Sequence, residues 1–142
     1  MPYDVDGWIE VTGLPPSDGL WLGAISLTAL RLSGDAISDQ YFGLAKRPRG
    51  NALFAGRGVP ADPSQHLRAD LLANEAFITA HGEGAFGHTY ATWRELLAAS
   101  FAAPSSLVGS EWSDAVRLIQ LFGSGNLNYT PDRIRVVVWA TW

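Results

Sequence analysis

Apolar residues recur at every second position near both ends of the chain and at helical spacing between them. In residues 3–12, Val5, Ile9 and Val11 predict a first strand, and Gly7 breaks the alternation as a bulge would. Near the other end RIRVVVWATW reads as the best strand of the sequence. Period two puts Arg133, Arg135, Val137 and Trp139 on one face and Ile134, Val136 and Val138 on the other, the aliphatic face facing the core. LPPSDG at 14–19 has the composition of a turn. The apolar segment at 19–32 is ambiguous: its content near Trp21–Leu27 favours strand, while TALRL is able to begin a helix. A hairpin between the first two segments is the economical arrangement.

Helical signals fill the middle. Ser33 or Asp35 is able to cap a helix carrying Ile37, Tyr41 and Leu44, with Lys46 and Arg47 in its last turn and Pro48 as its stop. NALFAGRG then reads as an extended passage to a turn at Arg57-Gly58. Asp62-Pro63-Ser64-Gln65 predicts a helix start with Asp62 as cap, running to about Asn74. EAFITAHGEGAFGH reads as a strand feeding a glycine loop. Thr92-Trp93-Arg94-Glu95 is a capping box for a helix to about Ala103. Ser110 or Ser113 begins another, with Gly123 as C-cap, and GSGNLNYTPD is a loop. These elements predict a single α+β domain over 1–142, a mainly antiparallel sheet with three to four helices packed on it.

Composition narrows the function classes. The 142 residues are 47% hydrophobic and 17% charged, ordinary for a globular protein, and they contain no cysteine. A net charge of −4 argues against polymeric nucleic acid as partner, although Lys46, Arg47, Arg49 and Arg57 cluster locally. No apolar run approaches the roughly 18 residues of a membrane span, and the N-terminus has neither the basic start nor the apolar core of a signal peptide. The expected location is cytoplasmic. Six tryptophans exceed what a core of this size needs, and Trp is enriched at interfaces and pockets.

Candidate chemistry gathers between Arg57 and Leu97, where all three histidines lie. The loop Gly82-Glu83-Gly84-Ala85-Phe86-Gly87 fits G-x-G-x-x-G, but no helix opens directly behind it, so it is either a ligand-facing loop centred on Gly84 or a structural hairpin. His88, Thr89 and Tyr90 offer stacking and specific hydrogen bonds, or His88 serves backbone carbonyls in a turn. Arg57 is placed either to grip phosphate or to lock its turn by pairing with Asp62, Asp70 or Glu75. Arg135 and Trp139 share one strand face, forming either a stacking and charge platform or a helix-covered surface. His66, His81, His88, Asp70 and Glu83 lack the spacing of a known metal site, and no nucleophile motif is present. No catalytic residue, metal or cofactor is expected.

Four segments resemble a family of small, largely uncharacterised bacteriophage proteins. They are the strand Gly7-Trp8-Ile9-Glu10-Val11, the turn from Arg57 to Asp62, the segment HTYATWREL from His88, and the strand Ile134-Arg135-Val136-Val137-Val138-Trp139. The second Ser of the family's central motif is missing here, and Ala140-Thr141-Trp142 replaces its polar ending. The family carries no settled activity. By analogy, small phage proteins of this kind include sponges that bind nucleotide second messengers of bacterial immune systems, and this implies the host cytoplasm as location. The leading expectation is therefore a non-enzymatic binder of a nucleotide-like ligand through Arg57, Gly84, His88, Thr89, Tyr90, Arg135 and Trp139. Alternatives are an interaction or assembly component and an enzyme acting on a nucleotide or ADP-ribose. A homo-oligomer is expected, with Trp142 and Trp112 at the contact.

Overall fold

The computed structural model describes residues 3–13, 19–44, 52–103 and 110–141. Strand β1 (Asp4–Thr12) is the spine. It pairs with β5 (Ile134–Thr141) on one side, in register from Asp4 opposite Thr141 to Val11 opposite Ile134. On its other side it pairs with β2 (Trp21–Ser26) and, near its start, with the two-residue β3 (Leu32–Ser33). β4 (Phe86–Thr92) completes a five-stranded antiparallel sheet, in the order β2-β1-β5-β4 with β3 beside β1. With its helices this makes an α+β architecture.

The sheet has two unlike faces, and the alternation of β1 and β5 creates both. Val5, Ile9 and Val11 alternate inward with Ile134, Val136, Val138 and Ala140, all buried in the main core. Three helical pieces close this face: a short wide-turned helix at Ser38–Phe42, α2 (Trp93–Ala98) and α3 (Trp112–Phe122). (The helix preceding α2 in the chain, α1 (Gln65–His81), covers the other face.) Phe101 stands edge-on to Tyr41 and Trp112, with ring centroids 4.9 and 5.6 Å apart. Such pairs contribute roughly 0.5–1.5 kcal/mol each beyond their burial. Trp112 is fully buried and donates Nε1 to Ser38 Oγ at 3.0 Å, which removes it from any subunit contact. Trp142 lies outside the described residues.

The opposite face of the sheet carries α1 (Gln65–His81). This helix corrects the sequence reading in two places. Its cap is Ser64, whose hydroxyl accepts from Leu67 N, because Asp62 is drawn into an ion pair with Arg135. It also continues through EAFITAH to Gly82, which adopts φ 78° and closes it. Phe77, Ile78 and Thr79 look like strand in isolation, but Glu75, Ala76 and Ala80 are good helix formers and Gly82 is a ready C-cap.

Other boundaries differ for local reasons. The helix at Ser38–Phe42 is capped by Asp35, which accepts from Ser38 N at 3.0 Å, and ends at Gly43 in the left-handed region. The expected continuation to Lys46, Arg47 and Pro48, like the turn at 14–18, lies outside the described residues. Residues 53–56 are a turn with Phe54 buried, not an extended passage. α2 stops at Ala98 because Ser100 turns left-handed at φ 61°, with Phe101 N bonded back to Leu96 O and Ser100 N to Leu97 O. Gly7 is not the bulge: the β1–β2 register shifts between Ile9 and Glu10.

Candidate functional site

Along β1 the residues Asp6, Trp8 and Glu10 project to the α1 face, opposite Trp139, Val137 and Arg135 of β5. Two of these pairs set the ends of the face. At one end Glu10, fully buried, takes Arg135 Nε on Oε1 at 2.7 Å and Ser64 N on Oε2 at 2.8 Å. Arg135 extends Nη1 to Asp62 Oδ1 at 2.8 Å and Nη2 to the Asp62 carbonyl at 2.9 Å, while its guanidinium lies 3.9 Å from the centre of the Trp21 ring. Arg135 thus ties β1, β5 and the start of α1 together and offers no open charge to a ligand. The expected platform of Arg135 and Trp139 is a helix-covered face, because α1 lays Leu67 and Leu71 against Val137 and Trp139.

Arg57 and the His88–Tyr90 stretch do meet, although 31 positions separate Arg57 from His88. Gly58 N donates to the His88 carbonyl at 3.0 Å, and Arg57 N donates to Thr89 Oγ1 at 3.3 Å. The capping-box residue Glu95 then receives the Arg57 guanidinium as a fork, Nη1 to Oε1 at 2.9 Å and Nη2 to Oε2 at 2.6 Å. Arg57 Nη1 also reaches the Tyr90 carbonyl at 3.3 Å. The arginine hydrogen bond holds the Glu95 carboxyl at about 2, far below its ordinary 4.5. Glu95, rather than Asp62, Asp70 or Glu75, is therefore the carboxylate that locks this turn. Thr89 is buried and donates its hydroxyl to the Phe54 carbonyl. His88 stacks on Trp139 with centroids 5.4 Å apart, and burial pushes its pKa below the usual histidine value.

The open space lies elsewhere, under the C-terminal half of α1. A groove of about 510 Å³ is lined by Ala73, Asn74, Phe77, Glu83, Gly84, Ala85 and Thr141. Gly84 belongs there because Phe77 and Ile78 pack where its side chain would be, 3.0 and 3.1 Å from an added Cβ. The glycine loop divides its labour: Gly82 caps α1, Gly84 admits Phe77, and Gly87 at φ 73° sits in the shifted register between Phe86 and Thr89. Asn74 also lines a second space of about 410 Å³ with Asp6, Trp8, Ser26, Thr28, Asp70 and Trp139. Thr141 of the first groove donates to Asp6 of the second at 2.5 Å, so the two are adjacent.

The donors here are unusual. Trp139 is 2% exposed, yet its Nε1 has no hydrogen-bond partner among the described residues, and the buried Nδ2 of Asn74 has none among them either. A buried N–H left unpaired costs about 1–3 kcal/mol, so two such groups at one place call for an explanation. Two carboxylates stand beside them. Asp70 takes Trp8 Nε1 on Oδ2 at 2.7 Å, and Asp6 takes Thr28 Oγ1 on Oδ1 at 3.0 Å. Of the residues read from the sequence, Trp139 and Gly84 line this double groove, while Arg57, Thr89 and Arg135 are engaged in holding the frame. Asp6, Trp8 and Asn74 are not among the residues read from the sequence, and Asp70 is read there only as a possible Arg57 partner or metal ligand. The alternation Asp6-Trp8-Glu10 was a signal for the first two, but that Asp70 and Asn74 face the same space depends on which face of α1 lies on the sheet.

No group of His, Asp or Glu among the described residues has the geometry to hold a metal ion. No helix among them is long and apolar enough to cross a membrane. Comparison with family models, with curated proteins and with solved structures finds no match for this chain.

Proposed function

We propose that this protein is a non-enzymatic binding protein that sequesters a nucleotide-like molecule, holding the base in the double groove beneath α1. The observation that carries this reading is a pair of buried donors, Trp139 Nε1 and Asn74 Nδ2, unpartnered among the described residues, on two residues that line a groove together with Asp6, Asp70 and Trp8. A space of about 410 Å³ falls in the range of small-ligand sites, roughly 300–1,000 Å³. A flat heteroaromatic ring with both donors and acceptors on its edge complements that lining. Phosphates stay outside, since Asp6, Asp70 and Glu83 make the groove acidic. Sequestration is favoured over turnover because the residues lining the two spaces include no histidine, lysine or arginine, and the Thr28 and Thr141 hydroxyls are both held by Asp6. The phage-sponge role implied by the resemblance is the biological form of this reading.

Titration calorimetry with a panel of nucleosides and cyclic oligonucleotides tests the reading. Binding is expected with the ligand recovered intact after denaturation. A converted ligand identifies an enzyme, and a panel that fails to bind removes the reading.

A second reading, association of two copies, is favoured by one observation. Leu72 and Phe77 are 62% and 54% exposed on α1, with Ala69, Ala73, Ala76 and Ala80 exposed on the same side. The two readings are compatible, since Phe77 also lines the groove.

A further inference from the structure

Resting on the association of two copies, we infer that the seam between them is the outer edge of β2, paired antiparallel with the β2 of the second copy. The two five-stranded sheets then run on as one. The fold treats its two sheet edges differently. The outer edge of β4 is occupied: Gly58 N donates to the His88 carbonyl at 3.0 Å, Arg57 Nη1 to the Tyr90 carbonyl at 3.3 Å, and Thr92 N to Glu95 Oε1 at 3.1 Å. The outer edge of β2 carries no such partner among the described residues. No residue of β2 is buried, whereas β5 is buried from Ile134 to Ala140. Its sequence, Trp21-Leu22-Gly23-Ala24-Ile25-Ser26, has neither charge nor proline, the side chains that keep exposed edges from pairing. Leu20 and Leu22 stand 59% and 46% exposed along it. Such an edge offers its free N–H and C=O groups to another strand.

The occupant that fits is the same strand. The one irregularity in β2 is a bulge at Ala24, which the pairing with β1 skips between Gly23 and Ile25. The bulge brings Leu22 and Ile25 to the same face, opposite the core residues Val11 and Ile9. Residues directly opposed in an antiparallel pair must share a face. Full overlap of β2 with its copy, Trp21 opposite Ser26, therefore sets Leu22 against Ile25 of the second copy. A six-residue strand without the bulge cannot overlap itself in this way, since its two ends point to opposite faces. The relating two-fold axis is perpendicular to the sheet and also inverts α1, which lies against β2 where Gly23 leaves room for His66. Leu72 and Phe77 of both copies, exposed on α1, then lie on one side of the joined sheet, on helices of opposite sense. Those side chains alone fall short of the roughly 1,200–2,000 Å² of a stable interface, and the seam adds backbone pairing and Leu22 to them.

The chain has no cysteine, so an engineered pair reports the seam alone. Under mild oxidation, Leu22→Cys/Ile25→Cys is expected to give a covalent dimer on a non-reducing gel, and Leu22→Cys by itself is not. Three positions apart on a strand, at roughly 3.3 Å per residue, the two thiols are too distant to bridge within one copy. Leu22→Lys, at an exposed position, puts a charge on the edge and tests the seam should the cysteine pair fail to fold. Light scattering over a dilution series is expected to show its dimer weakened roughly tenfold or more, one lost edge contact in affinity terms, with circular dichroism unchanged. If the parent is dimeric but Leu22→Lys dimerises as tightly, or the folded cysteine pair stays reduced within the dimer, the β2 seam fails while association through another face stands. A parent monomeric at every concentration overturns both and leaves this edge to a strand of another protein.

Discussion

Glu10 and Arg135 face each other across β1 and β5 and are joined at 2.7 Å, with Glu10 fully buried and Arg135 5% exposed. The pair is completed by Ser64 N and Asp62, so every charge in it has a partner. Removing one member leaves the other stranded. Arg135→Met is expected to destabilise by about 3–5 kcal/mol, whereas Glu10→Met with Arg135→Met recovers much of that loss. Urea unfolding of both variants checks it; a double variant no better than the single one contradicts the account.

That pair also marks how far the sequence could be read. Val136 and Val138 announced a core strand, and Thr92 with Glu95 announced a capped helix, because both signals depend only on neighbours along the chain. Arg135 was equally visible, but its role depends on Glu10 lying opposite, a matter of strand register. The start of α1 failed for the same reason. Asp62 is as good a cap as Ser64 until a buried guanidinium claims it. The groove was least legible of all, since Trp139, Asp70 and Asp6 come from three elements and meet only in the folded sheet.

The Arg57–Glu95 fork gives the protein a defined acid response. Glu95 has a folded pKa of about 2 against an ordinary 4.5, lowered chiefly by the Arg57 hydrogen bond. A depressed carboxyl stabilises fully above its unfolded value and loses that contribution as pH falls through the folded one. The Arg57 and Glu95 side chains are 32% and 35% exposed, so solvent screening keeps the contribution near 1 kcal/mol or less. The stability difference between parent and Glu95→Gln is expected to shrink between pH 4.5 and about 2. Equal pH slopes for the two proteins would contradict it.

Gly7 is fixed by closeness rather than by a turn. A Cβ there would lie 1.9 Å from the Val137 carbonyl oxygen, in the central β1–β5 pairing, and the residue has φ 147°. No rotamer relieves a clash with backbone. Gly7→Ala is expected to cost about 3 kcal/mol or more. Gly56→Ala, whose added Cβ meets nothing within 4 Å, carries only the left-handed backbone penalty and serves as the control. Thermal melts that rank Gly56→Ala as the worse of the two refute the argument.

The outer face of α1 makes the last prediction, that two copies pair through this helix in antiparallel fashion. Leu67 alone of its 17 residues is fully buried, and the stretch from Glu75 to His81 is exposed throughout. At 100° per residue, Ala69, Leu72, Ala73, Ala76, Phe77 and Ala80 fall on one side, with Arg68 and Glu75 off it. The order is symmetric about the point between Asn74 and Glu75. An antiparallel second copy therefore sets its Ala80 opposite Ala69 and its Ala76 opposite Ala73, while Leu72 lies level with its Phe77. Such a contact is isologous, as a closed dimer requires, and alanines let two helix axes approach to the close end of about 8–10 Å. Burying Leu72 and Phe77 contributes about 1.5–3 kcal/mol per side chain, set against the cost of association. Light scattering over a dilution series is expected to show a dimer that Phe77→Glu dissociates, with the circular dichroism of the fold unchanged. A parent that is monomeric at every concentration, or a Phe77→Glu variant that stays dimeric, ends this assignment.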